Sequence, residues 1–446
     1  MTEKGKYMFL FNDYIPAEIC GKLNTKSFGD YIVQYYDELF NEEAKKTYRY
    51  NLLSRMPEVL SDGRYVQLKE SDYTVFSMRL NETLAQMSCP HKITNDLAVR
   101  LVGILTEWNS VDPFYDYVSQ IKWDGIPRVR RWFIDGLGVS IPGVSKDESD
   151  LIIEEATQAW FVGTIGRSNG NACKLEIVPV LIGDQGTYKS TYVAYTAMST
   201  VVSDWYNASV ADLRDPKYFF ESVRGAKIVE WSESTQLKRA EDVELLKAFI
   251  SQEKDTYRPS YARNSETYNR QFSCIMTSNE KKLFNDDTGN RRFVPMVCSD
   301  NRARRINHSN MADNLYDVQQ VWAEALALLR NGAKTYLPAD VEKLAMCQTK
   351  QFAKSNEFFE EILFRLDDLY PDIGSSVQVM DLKKLISNIK YDFDEMRNRT
   401  VKTEDLVKYS DGEWILEPKK NIWVDNRRIR RDVLTRIKPP SRIAEE

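Results

Sequence analysis

The sequence has little to offer a metal centre or a disulfide framework. It holds only two histidines, His91 and His308, and its six cysteines (Cys20, Cys89, Cys173, Cys274, Cys298 and Cys347) include no C-x-x-C pair. That scarcity argues against zinc, and it makes each cysteine a reduced, small core residue in a cytoplasmic setting rather than a nucleophile. Long apolar runs are missing too, so no membrane partner is expected. The opening Met1-Thr2-Glu3-Lys4-Gly5-Lys6 does not read as a signal peptide. Internal repeats and low-complexity segments are absent. The chain as a whole lacks an excess of positive charge: its net charge is −5, which does not advertise nucleic-acid binding. With 42% hydrophobic and 28% charged residues over 446 positions, the composition is that of a soluble globular protein of two or three domains.

Against that plain background one segment stands out. Val178-Pro179-Val180-Leu181-Ile182 reads as a buried strand. Gly183, Asp184, Gln185, Gly186, Thr187 and Tyr188 form a glycine-bearing turn, and Lys189, Ser190 and Thr191 open a helix. This is the layout of a phosphate-binding loop: glycines let the backbone curl round an anion, and the helix N-terminus points N–H groups and positive potential at it. In that layout Lys189 reaches the β- and γ-phosphates of ATP and Ser190 holds Mg²⁺. The usual pattern places Gly directly before the Lys. Here that position is Tyr188, whose β-carbon limits how closely the backbone can approach a phosphate.

Around the loop, strands alternate with helices. Strands are expected at 175–182, 227–231 and 271–277, and helices near 150–167, 189–199, 238–250 and 318–330. Such alternation implies a parallel α/β sheet whose ligand lies beyond the carboxyl ends of the strands. The turn-rich connector Trp123-Asp124-Gly125-Ile126-Pro127-Arg128 and the glycines from Gly136 to Gly143 suggest a domain boundary near 145. The chain then divides into a mainly helical accessory domain (1–145), a core (146–345) and a small α+β module (346–446). The last is expected to hold helices near 356–369 and 379–390 and a strand-like pair around Trp414 and Trp423.

The other strand ends carry the remaining chemistry. Glu230 and Glu233 follow the second strand. One would hold the metal and the other would polarise the attacking water; Glu230 is assigned to Mg²⁺ and Glu233 to the base, with the reverse assignment open. Asn279 ends the third strand and can hydrogen-bond both water and the γ-phosphate. Arg291 and Arg292 stand before an apolar strand. They suit either an arginine finger entering a neighbouring subunit's site or an intradomain salt bridge to Asp286 or Asp287. Between these motifs, Lys254, Tyr257, Arg258, Tyr261 and Arg263 interleave charge with rings over a hairpin, the composition that single-stranded DNA asks for. Finally, the segment Lys419–Arg442 has nine basic residues against two acidic ones, a net of +7. A basic tail on an acidic body suggests contact with a phosphate backbone, such as origin duplex DNA.

This ordered set resembles the virulence-associated protein E family of phages and phage-related genomic islands. It runs from Trp123–Arg128 through Gly183–Thr191, Glu230–Glu233, Leu246–Ile250, Asp255–Tyr261, Thr277–Glu280 and Gly289–Phe293 to Trp322-Ala323-Glu324-Ala325. The resemblance covers residues 111–337. That family is similar to superfamily 3 helicases, a branch of the AAA+ ATPases. The resemblance therefore implies an ATP-dependent replicative DNA helicase: a ring, often a homo-hexamer, moving 3′ to 5′ on single-stranded DNA. It places Lys189, Ser190, Glu230, Glu233 and Asn279 round ATP–Mg²⁺, Arg291 or Arg292 in trans, and Lys254, Arg258 and Arg263 near a central channel. A primase partner and collar or winged-helix-like DNA-binding modules at the two ends belong to the same expectation. Two other readings compete: a non-translocating AAA+ switch, and a DNA-binding initiator without ATPase activity.

Overall fold

The computed structural model describes residues 25–34, 46–86, 89–199, 201–208, 212–232, 240–258, 265–279, 290–299, 310–349, 357–390, 402–410, 412–424 and 427–439. The chain forms two compact units, Met1–Phe352 and Ala353–Glu446.

Within the first unit, helix Thr25–Gln34 precedes a small sheet. Strands β1 (Tyr48–Asn51), β2 (Met56–Ser61), β3 (Arg64–Gln67) and β4 (Ser110–Val111) lie in the order β3-β2-β1-β4. Helices Glu70–Gln86 and Asn95–Trp108 pack Phe76, Leu80, Leu101 and Leu105 into a core with Tyr48 and Val59. Helices hold more of the described residues before 145 than strands do; the strands, short and partly polar, are the part that leaves no periodic pattern in the sequence. The signal that marks them is local: Asp62 (φ 52°) and Gly63 (φ 78°) make the two-residue turn that joins β2 to β3, and Asp-Gly favours that left-handed pair.

The central sheet is built next. It comprises β5 (Val178–Ile182), β6 (Tyr206–Asn207), β7 (Ile228–Ser232), β10 (Ser273–Ser278) and β11 (Phe293–Val297), with a hairpin of β8 (Lys254–Tyr257) and β9 (Glu266–Asn269) inserted before β10. The order is β11-β5-β10-β7-β6 and every pairing is parallel. Both faces are buried. Val178, Val180 and Ile182 point to one core, with Val229, Trp231, Cys274 and Met276. Leu181, Ile228, Ile275, Val294 and Met296 point to the other. This period of two, with helices over both faces, explains the unbroken apolar strands.

Helix Lys146–Gly166 starts four residues before the expected Asp150. Ser145 accepts a hydrogen bond from the Glu148 N–H at 3.3 Å, while the Glu148 carboxylate accepts one from the Ser145 N–H at 3.1 Å. This reciprocal capping box satisfies two otherwise orphaned donors. The compact unit runs across residue 145 without a break. Trp132, Phe133 and Leu137 belong to the same core as Trp160 and Trp322. Gly136 is not a linker glycine either: it lies in the helix Trp132–Leu137, and a β-carbon there would sit 2.0 Å from the Tyr192 hydroxyl. The connector at 123–128 is a clamp. The N–H groups of Arg128 and Val129 donate to Glu324 at 2.5 and 2.9 Å, and that of Asp124 donates to Gln320 at 2.8 Å. Arg128 forks onto Asp124 at 2.9 Å through both terminal nitrogens, which holds the Asp124 carboxyl well below its usual range. The two sequence motifs at 123–128 and 322–325 are thus halves of one contact, between a turn and helix Leu315–Arg330.

The amino ends of the central strands bury three cations. Arg270 is paired in full burial with Asp255 at 2.7 Å and lies over the Phe249 ring at 3.9 Å. Arg167 donates to the carbonyls of Cys173, Phe272 and Leu175. Lys227 donates to the Arg167 carbonyl, the Ser168 hydroxyl and the Gln271 carbonyl at 3.1, 2.6 and 2.9 Å. Burial pushes the Lys227 ammonium down to about 8.

The second unit contains β12 (Ser376–Gln378), β13 (Trp414–Val424) and β14 (Arg427–Arg436) in the antiparallel order β12-β14-β13. Its helices are Glu357–Leu369, Val379–Ile389 and Thr403–Tyr409. Trp414 and Trp423 do not mark two strands. Both lie on β13, and its partner is the arginine-rich segment β14. That segment was hard to recognise as a strand because residues 427–432 are mostly charged and only Val433–Arg436 are buried. Among the described residues no helix is long and apolar enough to cross a membrane.

Lys227 supplies a pH test. Its folded value lies below that of a free lysine, so between about pH 8 and 10.5 the unfolded chain binds more protons than the folded one, and this residue's contribution to stability rises with pH. The difference in unfolding free energy between wild type and Lys227→Met should move in favour of wild type by about 2 kcal/mol between pH 7 and pH 10. A difference that stays flat over that range contradicts a buried, titrating Lys227.

Candidate nucleotide site

At the carboxyl end of β5 the chain leaves the sheet at Gly183, whose N–H still donates to the Ser278 carbonyl at 3.0 Å. The turn then closes on itself: the Thr187 N–H and hydroxyl both donate to the Asp184 carbonyl, at 3.3 and 2.8 Å. Gly186 takes φ 87° and Tyr188 takes φ 59°, ψ 26°. Tyr188 therefore occupies the left-handed region that a glycine would adopt without cost, and its ring is 41% exposed at the mouth of the site. The tyrosine does not abolish the turn; it makes the turn strained.

Helix Lys189–Thr196 begins there and is anchored from behind. Its C-terminal Thr196 accepts from the Trp322 indole at its carbonyl, 2.7 Å, and from the Trp132 indole at its hydroxyl, 2.9 Å. The Tyr192 hydroxyl donates to the Trp132 carbonyl at 2.8 Å. Trp132 stacks on Tyr195 with ring centroids 5.5 Å apart.

The Lys189 side chain is only 7% exposed. Its Nζ donates to the Gly183 and Asp184 carbonyls at 2.6 and 3.1 Å, to Thr187 Oγ1 at 3.1 Å and to Asn279 Oδ1 at 3.1 Å. The next residue, Ser190, donates to Glu230 Oε1 at 2.6 Å. Thr277 donates to the same oxygen at 2.6 Å, and the Tyr206 hydroxyl donates to Oε2 at 2.6 Å. Burial first, and then the Glu230 charge, push the Tyr206 phenol upward, so it remains a donor. These groups line or border a cleft of about 460 Å³ whose walls include Gln185, Tyr188, Lys189, Ser190, Ser232 and Asn279.

β5, β10 and β7 are neighbours in the sheet, so Lys189, Asn279 and Glu230 converge although 90 residues separate the first two. Such a site offers an ammonium and loop N–H groups to an anion. It also offers an oxygen-only pair, Ser190 Oγ and Glu230 Oε1, to a hard cation whose remaining ligands would be waters and phosphate oxygens. No group of three or more His, Cys, Asp or Glu side chains among the described residues could hold a metal alone.

Thr277 and Tyr206 were not foreseen as site residues. Thr277 had a signal, since it precedes Ser278-Asn279 on the strand beside the acid. Tyr206 had none: it reaches Glu230 only because the edge strand β6 pairs Tyr206 with Ile228.

The arginines lie elsewhere. Phe293, directly after Arg292, pairs with Val178, the first residue of β5, whereas the loop follows Ile182, the last. The pair therefore stands at the opposite end of the sheet, roughly 15 Å of strand away from its own loop. Arg291 is 3.6 Å from Glu176 and 3.7 Å from Glu342. Arg292 is 3.7 Å from Glu176 and donates to the Ser251 hydroxyl at 2.9 Å. Asp286 and Asp287, the other partners considered, lie outside the described residues, as do Glu233, Tyr261 and Arg263.

The hairpin β8–β9 presents Lys254 and Arg258 to solvent. Tyr257 is not available for stacking on bases: it is 5% exposed and stacks on Phe220 with centroids 4.8 Å apart. Alternation along the strand turns Asp255 and Tyr257 inward and Lys254 and Thr256 outward.

A parallel sheet thus gathers a lysine, a seryl hydroxyl, a carboxylate and an amide at adjacent strand ends, round a strand–loop–helix turn. The family comparison agrees with the motif series: the virulence-associated protein E-like domain matches residues 118–354, more than half of the chain, and the chain belongs to that family. No curated protein matches it. Similar solved structures include the apo NrS-1 C-terminal region (305–718), at 10% identity and TM-score 0.47, covering 88% of this chain and 96% of that one. The A-form apo structure of the NrS-1 C-terminal region gives 10% identity and TM-score 0.45 over the same shares of the two chains.

The left-handed backbone at Tyr188 makes its own prediction. Tyr188→Gly should be more stable than Tyr188→Ala by about 1 kcal/mol, because only glycine takes that conformation freely. Chemical denaturation of the two variants checks this, and an alanine variant as stable as the glycine variant contradicts the geometry.

Proposed function

We propose that this protein is an ATP-driven replicative DNA helicase of a phage or related mobile element, working as a ring on single-stranded DNA. The observation that carries the reading is the convergence of Lys189, Ser190, Glu230 and Asn279 at the carboxyl ends of three adjacent parallel strands. In this reading Lys189 releases the loop carbonyls and Asn279 to meet the β- and γ-phosphates of ATP. A buried ammonium needs acceptors, and phosphate oxygens replace the ones it leaves. Ser190 and Glu230 would hold Mg²⁺, which would offset phosphate charge. Tyr206 and Thr277 fix the Glu230 carboxylate so that one oxygen faces the Ser190 hydroxyl. Asn279 orients the attacking water beside the γ-phosphate, and Glu233 polarises it. The strand order, with the loop strand set between the Asn279 strand and the strand after the arginines, supports an AAA+-type core.

The position of Arg291 and Arg292, at the end of the sheet away from their own loop, supports a finger given to a neighbouring subunit. The exposed Lys254 and Arg258 support a DNA track on the β8–β9 hairpin. Family membership supports a role in replication of a mobile element. Unwinding of forked DNA in the presence of ATP and Mg²⁺ tests the whole reading. ATP hydrolysis without unwinding would favour a non-translocating switch, and neither activity would favour an initiator that has lost its ATPase.

Lys189→Ala should lower ATP turnover by at least 100-fold, because the phosphates lose their main cationic partner. Glu233→Gln should keep ATP binding and stall hydrolysis. Wild-type turnover in the Lys189 variant contradicts the phosphate-loop assignment.

Mixing tests the finger. Arg292→Ala subunits combined with Lys189→Ala subunits should regain part of the activity, since some interfaces then hold an intact loop and an intact finger. Absence of rescue at every ratio, for Arg291 and Arg292 alike, would show that the site is completed within one chain.

A further inference from the structure

The second unit carries a structure with no core to serve. β12 pairs only with Val433, Leu434 and Thr435 of β14, so residues 420–424 of β13 and 427–431 of β14 extend past the three-stranded sheet as a two-stranded ribbon. Paired residues of an antiparallel ribbon share a face. Trp423 pairs with Arg428, and Asn421 pairs with Arg430. Alternation therefore puts Trp423, Arg428 and Arg430 on one face. That face is open: Trp423 is 74% exposed, and the three partner positions are exposed as well. The Trp423 indole N–H donates to no described residue, and Arg428 has no acidic partner among them.

Among the described residues, the acids nearest the ribbon do not offset this charge. Glu417 accepts from Lys420 at 2.5 Å on the sheet side of the bulge, and Asp432 Oδ1 accepts from the Lys419 N–H at 2.8 Å, closing a bulge at which Lys419 takes φ 53°. Arg430 Nε donates to the Lys419 carbonyl at 2.8 Å, which pins its guanidinium to the ribbon. Folding gains little from leaving a tryptophan in water beside two arginines that have no acidic partner among the described residues, one of them held in place by a backbone carbonyl. A polyanion with an exposed aromatic face suits all three groups at once.

We propose that the face of Trp423, Arg428 and Arg430 binds DNA at a junction between duplex and single strand, with the two arginines on backbone phosphates and Trp423 stacked on the base pair left uncovered at the fork. A two-stranded ribbon is narrow enough to enter the major groove. Stacking, however, needs an exposed base face, which the interior of a duplex does not offer. This contact is independent of nucleotide hydrolysis, so it stands or falls apart from the ATPase reading.

The test uses the full chain without nucleotide. The affinity of a labelled fork is measured across a salt series, together with its displacement by a relaxed, covalently closed duplex circle, which has no uncovered base pair. Trp423→Ala should weaken fork binding about tenfold while leaving the salt slope and the affinity of the circle unchanged. Trp423→Phe should retain most of the wild-type affinity. Arg428→Ala/Arg430→Ala should flatten the logarithmic salt slope by about two, one unit for each lost phosphate contact, on both DNAs. Any of three results would overturn the proposal: a Trp423→Ala variant that binds the fork like wild type, an equal loss on fork and circle, or an unchanged slope in the double arginine variant.

Discussion

A buried ammonium must be surrounded by acceptors, because an unpaired charge out of water costs several kcal/mol. Lys189 meets that demand with two loop carbonyls, one hydroxyl and one side-chain amide. The amide comes from Asn279, so β5 and β10 must lie side by side with their ends level, as the pairing of Ser278 with Ile182 ensures. The carbonyls come from Gly183 and Asp184, so the turn must fold back over the helix start, which draws Tyr188 into a left-handed conformation. The helix must also be immobile. Trp132 and Trp322 hold its far end at Thr196, and Gly136 clears the space that Tyr192 fills. The neighbouring carboxylate follows the same logic with opposite sign: Glu230 is 1% exposed and receives three hydroxyl donors. The cleft thus keeps one cation and one anion ready, each satisfied by groups that a phosphate or a metal can replace.

The sheet has two chemically distinct ends. Its carboxyl end gathers Lys189, Ser190, Glu230 and Asn279. Its amino end buries Arg167, Lys227 and Arg270, mostly against carbonyl oxygens, and sends out the β8–β9 hairpin and the Arg291–Arg292 pair. Parallel strands make this division unavoidable, since every carboxyl end points the same way. An arginine placed before β11 therefore stands away from its own loop, and Arg291 and Arg292 meet Glu176 there instead. The Arg270–Asp255 pair fixes the hairpin base in full burial, so Lys254 and Arg258 stand on a rigid support.

Much of the central sheet was legible in the sequence, since fully buried parallel strands leave unbroken apolar runs and the loop residues follow one of them directly. The same rule brought out Glu230 and Asn279 as strand-end groups. Features that depend on tertiary pairing were hidden. Tyr206 reaches Glu230 through an edge strand of two residues, too short to leave a pattern. The roles of Trp123–Arg128 and Trp322–Ala325 as a single clamp needed a contact across nearly 200 residues of chain. Composition misled in three places. Glycines near 136 looked like a linker but serve packing. Tyr257 looked like a stacking residue but alternation turns it into the core. The arginines of β14 disguised a strand because half of it extends beyond any core.

The claim on which the rest depends is that the loop from Gly183 to Thr191 is built to exchange its internal contacts for a triphosphate. The most direct test is a structure of the protein with Mg²⁺ and a non-hydrolysable ATP analogue. The account predicts the triphosphate in the cleft, Lys189 Nζ moved from the Gly183 and Asp184 carbonyls to the phosphate oxygens, and the metal between Ser190 and Glu230. A nucleotide bound elsewhere, or one bound with Lys189 still on its carbonyls, would contradict it.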